Sequence, residues 1–356
     1  MSTAGVSGGG RRRIGSRREE TARSRSGPRV ALVLGSGGVV GAAWMTGALH
    51  AVQQRLPVPV GDVDLIVGTS AGSVLAAALR CGVTLDEMTA LQRGEPVPAL
   101  RDAGLRDLDE GPHPPRPHLR AGSPRLMLTT LRAPRTVHPG VGASAWLPRG
   151  RGRHEALRAM VAALDTFAGR PDGAGVAADW SPGSWADGRT WIVAVDFDTG
   201  HRVMFGRTGA PRVSLPDAVV ASCSIPGWYE PAVIAGRRYV DGGVRSSTSL
   251  RSLAQAGLDE VYVLAPMASL VPGRPSRAAE RLERRVRRLI TRSLLREAAA
   301  LRACGTRVTL LTPGPEDLAA MGANVMDPRR RQPVLDVSLR TSAATIATAG
   351  DHPLVA

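Results

Sequence analysis

The stretch Leu65-Ile66-Val67-Gly68-Thr69-Ser70-Ala71-Gly72, continued by Ser73-Val74-Leu75-Ala76-Ala77-Ala78-Leu79-Arg80, reads as a buried strand, a tight turn and a helix. Leu65-Ile66-Val67 is apolar without alternation, the pattern of a strand covered on both faces. Ala71 to Arg80 is rich in helix formers. The same grammar stands upstream. Val30-Ala31-Leu32-Val33-Leu34 runs into Gly35-Ser36-Gly37-Gly38, and a helix is expected from about Ala42 to Gln54. Strand, glycine turn and helix, repeated, predict an α/β fold of three layers, α/β/α, around a mainly parallel sheet.

Downstream the pattern is less regular. Between about 94 and 152, Pro112, Pro114, Pro115, Pro117, Pro134, Pro139 and Pro148 predict an irregular insertion or lid. Helices are then expected over His154–Leu164, Ser214–Cys223, Pro315–Met321 and Pro328–Thr341. Thr190–Phe197 and Val203–Phe205 read as a hairpin around Asp198-Thr199-Gly200. Further strands fall near Val233, Tyr239-Val240, Val261–Leu264 and Arg307–Leu311. Residues 1–28 lack large apolar side chains and are expected to be a disordered Arg-rich tail, with one domain over 29–350.

The chain has 356 residues, 43% hydrophobic and 22% charged, which suits a packed core and excludes wholesale disorder. Its net charge of +15 comes from 46 basic residues, all arginine. Residues 1–28 contribute +5 and residues 274–302 contribute +7, leaving 29 Arg against 26 acidic residues elsewhere. No domain-wide phosphate-binding footprint follows, and no nucleic-acid partner is expected. Cys81, Cys223 and Cys304 are odd in number and have no C-x-x-C spacing, which points to a reducing, cytoplasmic setting without disulfides or zinc.

Gly68-Thr69-Ser70-Ala71-Gly72 is a G-x-S-x-G placed between strand and helix, the context of a nucleophile elbow. Chance alone would supply about 0.3 such pentapeptides at this composition, so the placement carries more weight than the pattern. A serine needs a base. Of the later histidines, His113, His118 and His138 sit in the proline-rich stretch and His352 at the end, while His154 and His201 have no distinctive setting. Most of the six read as solvated bystanders, which disfavours a Ser-His-Asp triad. Asp241-Gly242-Gly243, after a strand end, offers an alternative base, although an ordinary Asp-Gly turn has the same sequence. Gly35 to Gly41 can supply backbone N–H groups to an oxyanion. The same glycines also resemble the start of a dinucleotide site, with Asp62 about the right distance on.

Together these blocks resemble the patatin-like phospholipases, over roughly Arg29 to Thr341. Ser36-Gly37-Gly38-Val39-Val40-Gly41 resembles that family's glycine-rich block, Gly68–Gly72 its elbow, Ala221-Ser222-Cys223-Ser224-Ile225-Pro226 its third block, and Asp241-Gly242-Gly243 its last. The resemblance implies a patatin-like fold and hydrolysis of lipid acyl esters by a Ser70–Asp241 dyad through an acyl-enzyme. It also implies oxyanion donors at Gly37, Gly38 and Val39, and no metal or other cofactor. A catalytically silent lipid- or protein-binding module on the same scaffold is the alternative. The family usually carries Arg or Lys where Val40 stands, which shifts the expected substrate from anionic phospholipids toward neutral acylglycerols or simple esters.

Trp44 and Met45 follow the first block, and Trp228 and Tyr229 the third, so these four are candidates for an acyl pocket. In the basic helix 277–302, Leu282, Val286, Leu289, Ile290, Leu294 and Leu301 are expected on one face. Arg281, Arg284, Arg285, Arg288, Arg292 and Arg296 line the other. That charged face fits peripheral contact with an anionic membrane or plain solvation.

Overall fold

A computed structural model describes residues 27–102, 104, 117–118, 120–168, 185, 187–271 and 278–348. The tail expected over 1–28 lies almost wholly outside these residues.

The strands are β1 (Val30–Leu34), β2 (Leu65–Thr69), β3 (Thr190–Asp196), β4 (Arg202–Phe205), β5 (Ala232–Ile234), β6 (Arg237–Asp241), β7 (Glu260–Leu264) and β8 (Arg307–Leu311). They form one sheet in the order β5-β6-β3-β2-β1-β7-β8, with β4 also pairing β3. Five strands, from β3 to β8 in that order, are mutually parallel. β4, β5 and β6 make an antiparallel margin. The helices are α1 (Gly38–Gln53), α2 (Ala71–Arg80), α3 (Leu85–Arg93), α4 (Pro98–Asp102), α5 (Pro124–Arg132), α6 (Pro139–Ala145), α7 (Glu155–Ala168), α8 (Leu215–Cys223), α9 (Ala278–Ala303), α10 (Pro315–Met321) and α11 (Arg331–Thr348).

Alternation along the strands divides the core between the two faces. Leu32, Leu34, Ile66 and Ile192 pack with α1, α2, α7, α8 and α11 on one side. Ala31, Val33, Val67 and Val263 pack with Leu250, Leu253 and the inner face of α9 on the other. This is the expected three-layer arrangement. It places the ends of β1 and β2, each followed directly by a helix, at the same edge of the sheet. No helix among the described residues is long and apolar enough to cross a membrane.

Three expectations need correction. The first helix begins at Gly38 rather than Ala42, so the glycine block is itself the helix entry. The insertion is not irregular where it is described, for it contains α4, α5 and α6. Pro98, Pro124 and Pro139 each stand at a helix's first position, where the missing N–H costs nothing, and Ser123 caps α5 by accepting from Leu126 N at 3.3 Å.

The third correction concerns α9. Its buried stripe is Arg287, Thr291, Leu294, Ala298 and Leu301, at alternating spacings of four and three. Val286 and Leu289 are exposed. At about 100° per residue, they lie about 80° and 140° around the helix from Leu294. Arg287 takes the buried place because its guanidinium donates to Pro266 O at 2.6 Å, Ala268 O at 3.3 Å and Glu283 Oε1 at 2.7 Å. Leu294→Ala is therefore expected to cost about 2–4 kcal/mol in chemical denaturation, and Leu289→Ala about 0.5 kcal/mol or less. Equal losses would return the helix to the orientation expected from its sequence.

Candidate active site

Ser70 closes β2 and opens α2 with φ 55° and ψ −123°, a left-handed backbone conformation that non-glycine residues rarely adopt. Its neighbours explain why the chain turns so sharply. A Cβ at Gly68 would stand 2.6 Å from Gly72 O, and one at Gly72 would stand 2.1 Å from Leu34 O. Glycine at both positions lets strand and helix cross this closely while α2 abuts the end of β1. Hydrogen bonds fix the serine's backbone on both sides. Ser70 N donates to Ser222 Oγ at 2.9 Å, and Ser222 in turn donates to Val193 O at 2.7 Å. Ser73 Oγ donates to Ser70 O at 2.6 Å.

Asp241 ends β6, opposite Ala194, while Thr69 lies opposite Val193 on the other side of β3. The sheet register thus brings Ser70 and Asp241 level across a single strand. The Asp241 carboxylate accepts from Gly243 N at 2.7 Å, and the Ser70 side chain is close enough to act on its carboxyl. Asp241 N donates to Ser224 O at 2.9 Å. Burial pushes the Asp241 carboxyl up to about 6. The bonds from Ser70 and Gly243, and the electrostatic effect of His154, act in the opposite direction.

The glycine block lies beside this pair. Gly35 N donates to Leu264 O, Ser36 N to Ser247 O, Val40 N to Val325 O and Gly41 N to Gly37 O, at 2.8–3.0 Å. The N–H groups of Gly37, Gly38 and Val39, at the positive end of α1, donate to no acceptor among the described residues. Gly38 has φ 61°, and a Cβ there would stand 2.7 Å from Val325 O. Pro266, whose carbonyl Arg287 holds, presses on Gly37 and Gly41. The basic helix therefore reaches this loop through an arginine that its helical pattern does not single out.

Trp44 and Met45 are fully buried in the core with α1, and Ser338 Oγ bonds to Trp44 O at 2.7 Å. They contribute no surface to an open acyl pocket, which corrects their reading as pocket residues: core packing between α1 and α11 claims them. Trp228 is half-buried, and Tyr229 is buried and stacked on His154 with ring centroids 3.7 Å apart. His154 is not solvated. Its Nε2 lies 3.1 Å from Cys223 O, in the turn that supplies both Ser222 to Ser70 and Ser224 to Asp241. No sequence motif marks it, because its place depends on α7 packing against α8.

A family model, Patatin-like phospholipase, matches residues 32–254, more than half of the chain. The chain belongs to the patatin-like phospholipase family. The matched span includes the glycine block, the elbow and Asp241, while β7, α9, β8, α10 and α11 extend beyond it. Among solved structures, VipD from Legionella pneumophila is similar at 14% identity, with 88% of this chain and 67% of that one covered and a TM-score of 0.37. The type III effector ExoU is similar at 15% identity, covering 91% and 54%, with a TM-score of 0.40. The ExoU–SpcU complex from Pseudomonas aeruginosa is similar at 18% identity, covering 90% and 59%, with a TM-score of 0.31. The chain thus spans about half to two thirds of the length of these structures. No curated protein matches it.

Raising a buried carboxyl to about 6 binds its proton more tightly in the folded than in the unfolded chain. The associated stability is present below about pH 4 and lost as pH rises through about 6. Asp241→Asn is therefore expected to melt above wild type at pH 8, by up to about 3 kcal/mol, and to match it near pH 4. A difference independent of pH would mean that the Asp241 carboxyl is not raised by burial.

Proposed function

We propose that the chain is a serine acyl hydrolase that cleaves lipid acyl esters through a Ser70–Asp241 dyad. The observation that carries this reading is Ser70, held at a positive φ, brought level across β3 with the buried Asp241 carboxyl, beside three backbone N–H groups that donate to no acceptor among the described residues. Family membership supports the lipid ester as substrate class.

In the first half-reaction Ser70 Oγ attacks the ester carbonyl carbon while Asp241 takes the hydroxyl proton. The tetrahedral oxyanion is held by Gly37, Gly38 and Val39 N–H, donors fixed before the reaction by the loop's other hydrogen bonds. Collapse breaks the bond to the leaving alkoxide, which takes the proton from Asp241 and departs as the alcohol. Water then attacks the acyl-serine with Asp241 as base, and on collapse the carboxylic acid leaves while Ser70 Oγ takes the proton back from Asp241. Asp241 suits both halves, since a carboxyl near 6 is ionised at neutral pH yet more basic than an exposed aspartate.

Val40 bears on the substrate. Its side chain is fully buried, so no cation is offered from that position of the loop. Neutral acylglycerols and simple esters fit this site better than substrates that need a counterion for a headgroup phosphate.

A fluorophosphonate probe is expected to label wild type and not Ser70→Ala, with ester turnover falling at least about a thousandfold in that variant. For a soluble short-chain ester, kcat/KM is expected to rise with pH to a plateau above about 6, as Asp241 ionises. Equal labelling of Ser70→Ala would remove the nucleophile, and full activity at pH 4 would remove the base. A screen over phospholipid, acylglycerol and short-chain ester would order the substrate classes.

A further inference from the structure

We infer that the outer face of the insertion at residues 120–153 is a docking surface for an anionic lipid bilayer. That it delivers a substrate to Ser70 rests on the reading above; that it docks does not.

The first observation is charge. Residues 120–153 contain seven arginines and no aspartate or glutamate. With this segment, residues 1–28 and residues 274–302 set aside, the rest of the chain carries 22 arginines against 26 acidic residues. The insertion is thus a positive segment on a slightly negative body. Acidic groups from neighbouring elements reach only part of it. Glu230 approaches Arg149 at 4.0 Å, Glu155 approaches Arg153 at 3.5 Å, and Asp198 bonds to Ser123 at 3.4 Å. Arg120, Arg132, Arg135 and Arg151 are exposed and have no ion pair among the described residues.

The second is exposed apolar surface on the same segment. Leu128 is 46% exposed, Leu131 66%, Trp146 52% and Leu147 45%, half of the exposed large apolar side chains among the described residues. Leu128 and Leu131 are one turn apart on α5. The other side of the segment is already used, since Leu126, Val137, Val141 and Ala145 pack on Val195, Phe197 and Val240. The outward leucines and tryptophan therefore keep about half or more of their surface open to solvent, on a well-packed support.

The third is position. α6 sits on the turn that follows Asp241, with Gly140 so close that a Cβ there would stand 2.3 Å from Val244 O. Gly152 N donates to Trp228 O, and Glu230 N to Gly152 O, at 3.0 and 2.9 Å. A membrane held on this face lies beside the edge of the sheet that carries Ser70 and Asp241.

Exposed arginines and apolar side chains on one segment match a bilayer with anionic headgroups, where the cations meet phosphates and the apolar tips enter the acyl boundary. A second copy would set seven arginines against seven. A nucleic acid would satisfy the arginines and leave the leucines in water. α9 also exposes Val286 and Leu289 among arginines, but three glutamates interrupt its charge.

The test uses the full chain as Ser70→Ala, so that vesicles are not consumed, in co-sedimentation with phosphatidylcholine vesicles with or without phosphatidylglycerol. The parent is expected to pellet with anionic vesicles at low salt, less so at high salt. Replacing Arg120, Arg132, Arg135 and Arg151 by Gln is expected to weaken binding about a hundredfold. Replacing Leu128, Leu131, Trp146 and Leu147 by Ser is expected to weaken it about tenfold or more. With Ser70 restored, both sets should turn over a dispersed short-chain ester within about twofold of wild type while losing activity on vesicles, which also shows that they fold. Vesicle binding without any ester turnover would sink the hydrolase reading and leave docking intact.

Four outcomes would overturn the proposal: a parent indifferent to anionic lipid, insertion variants that bind like the parent, binding lost only with Val286→Ser/Leu289→Ser, or a dimer or oligonucleotide complex that depends on these residues in preference to vesicles.

Discussion

Ser70 occupies a backbone conformation that an L-amino acid resists, and the surrounding edge of the sheet is organised to hold it there. A residue in this region costs on the order of 1–3 kcal/mol, recovered only where its surroundings leave no alternative. Here β2 is clamped between β1 and β3, and α2 starts at the next residue. Gly68 and Gly72 remove the Cβ atoms that would force strand and helix apart. Relaxing the turn would break Ser70 N from Ser222 and Ser73 from Ser70 O, two buried bonds whose partners would be left unsatisfied. The serine is thus displayed by the whole strand–turn–helix unit.

The same constraint extends to Asp241 through one short turn. Ser222 receives the Ser70 N–H, Ser224 O receives the Asp241 N–H, and Cys223 O, between them, meets His154. The end of α8 therefore brackets both members of the pair, and α7 steadies the bracket from outside. Because the carboxyl is buried, its ionisation depends on these few bonds rather than on water, and small displacements there carry a large electrostatic effect.

Much of this was legible in the amino-acid sequence, for reasons that also mark where legibility ends. Strands β1, β2 and β7 show as apolar runs because both of their faces are covered, and the turns after β1 and β2 show as glycines because no other residue fits. These are local demands. Arg287 and His154 are illegible because their roles come from Pro266 and Cys223, partners 21 and 69 residues away. The insertion was misread because proline has two opposite meanings, ending a helix from within and starting one at its first position. Trp44 and Met45 lay beside a functional motif only in sequence. On α1, a few residues of separation turn a side chain from the site into the core.

Charge shows the same division between local pattern and placement. Counted over the chain, +15 points toward a polyanion, while the groups proposed to stabilise the developing oxyanion are neutral backbone amides. Amides at a helix N-terminus need no arginine, and the buried Val40 brings no cation to the loop. The fold thus separates two electrostatic tasks. Short-range backbone dipoles in the glycine loop are proposed to act on the reacting carbonyl. Exposed arginines, collected on a segment that contains no acid, are proposed to act at the longer range over which a charged surface is felt. No arginine is among the groups that shift the Asp241 carboxyl, so burial, which raises it, is opposed only by Ser70, Gly243 and His154.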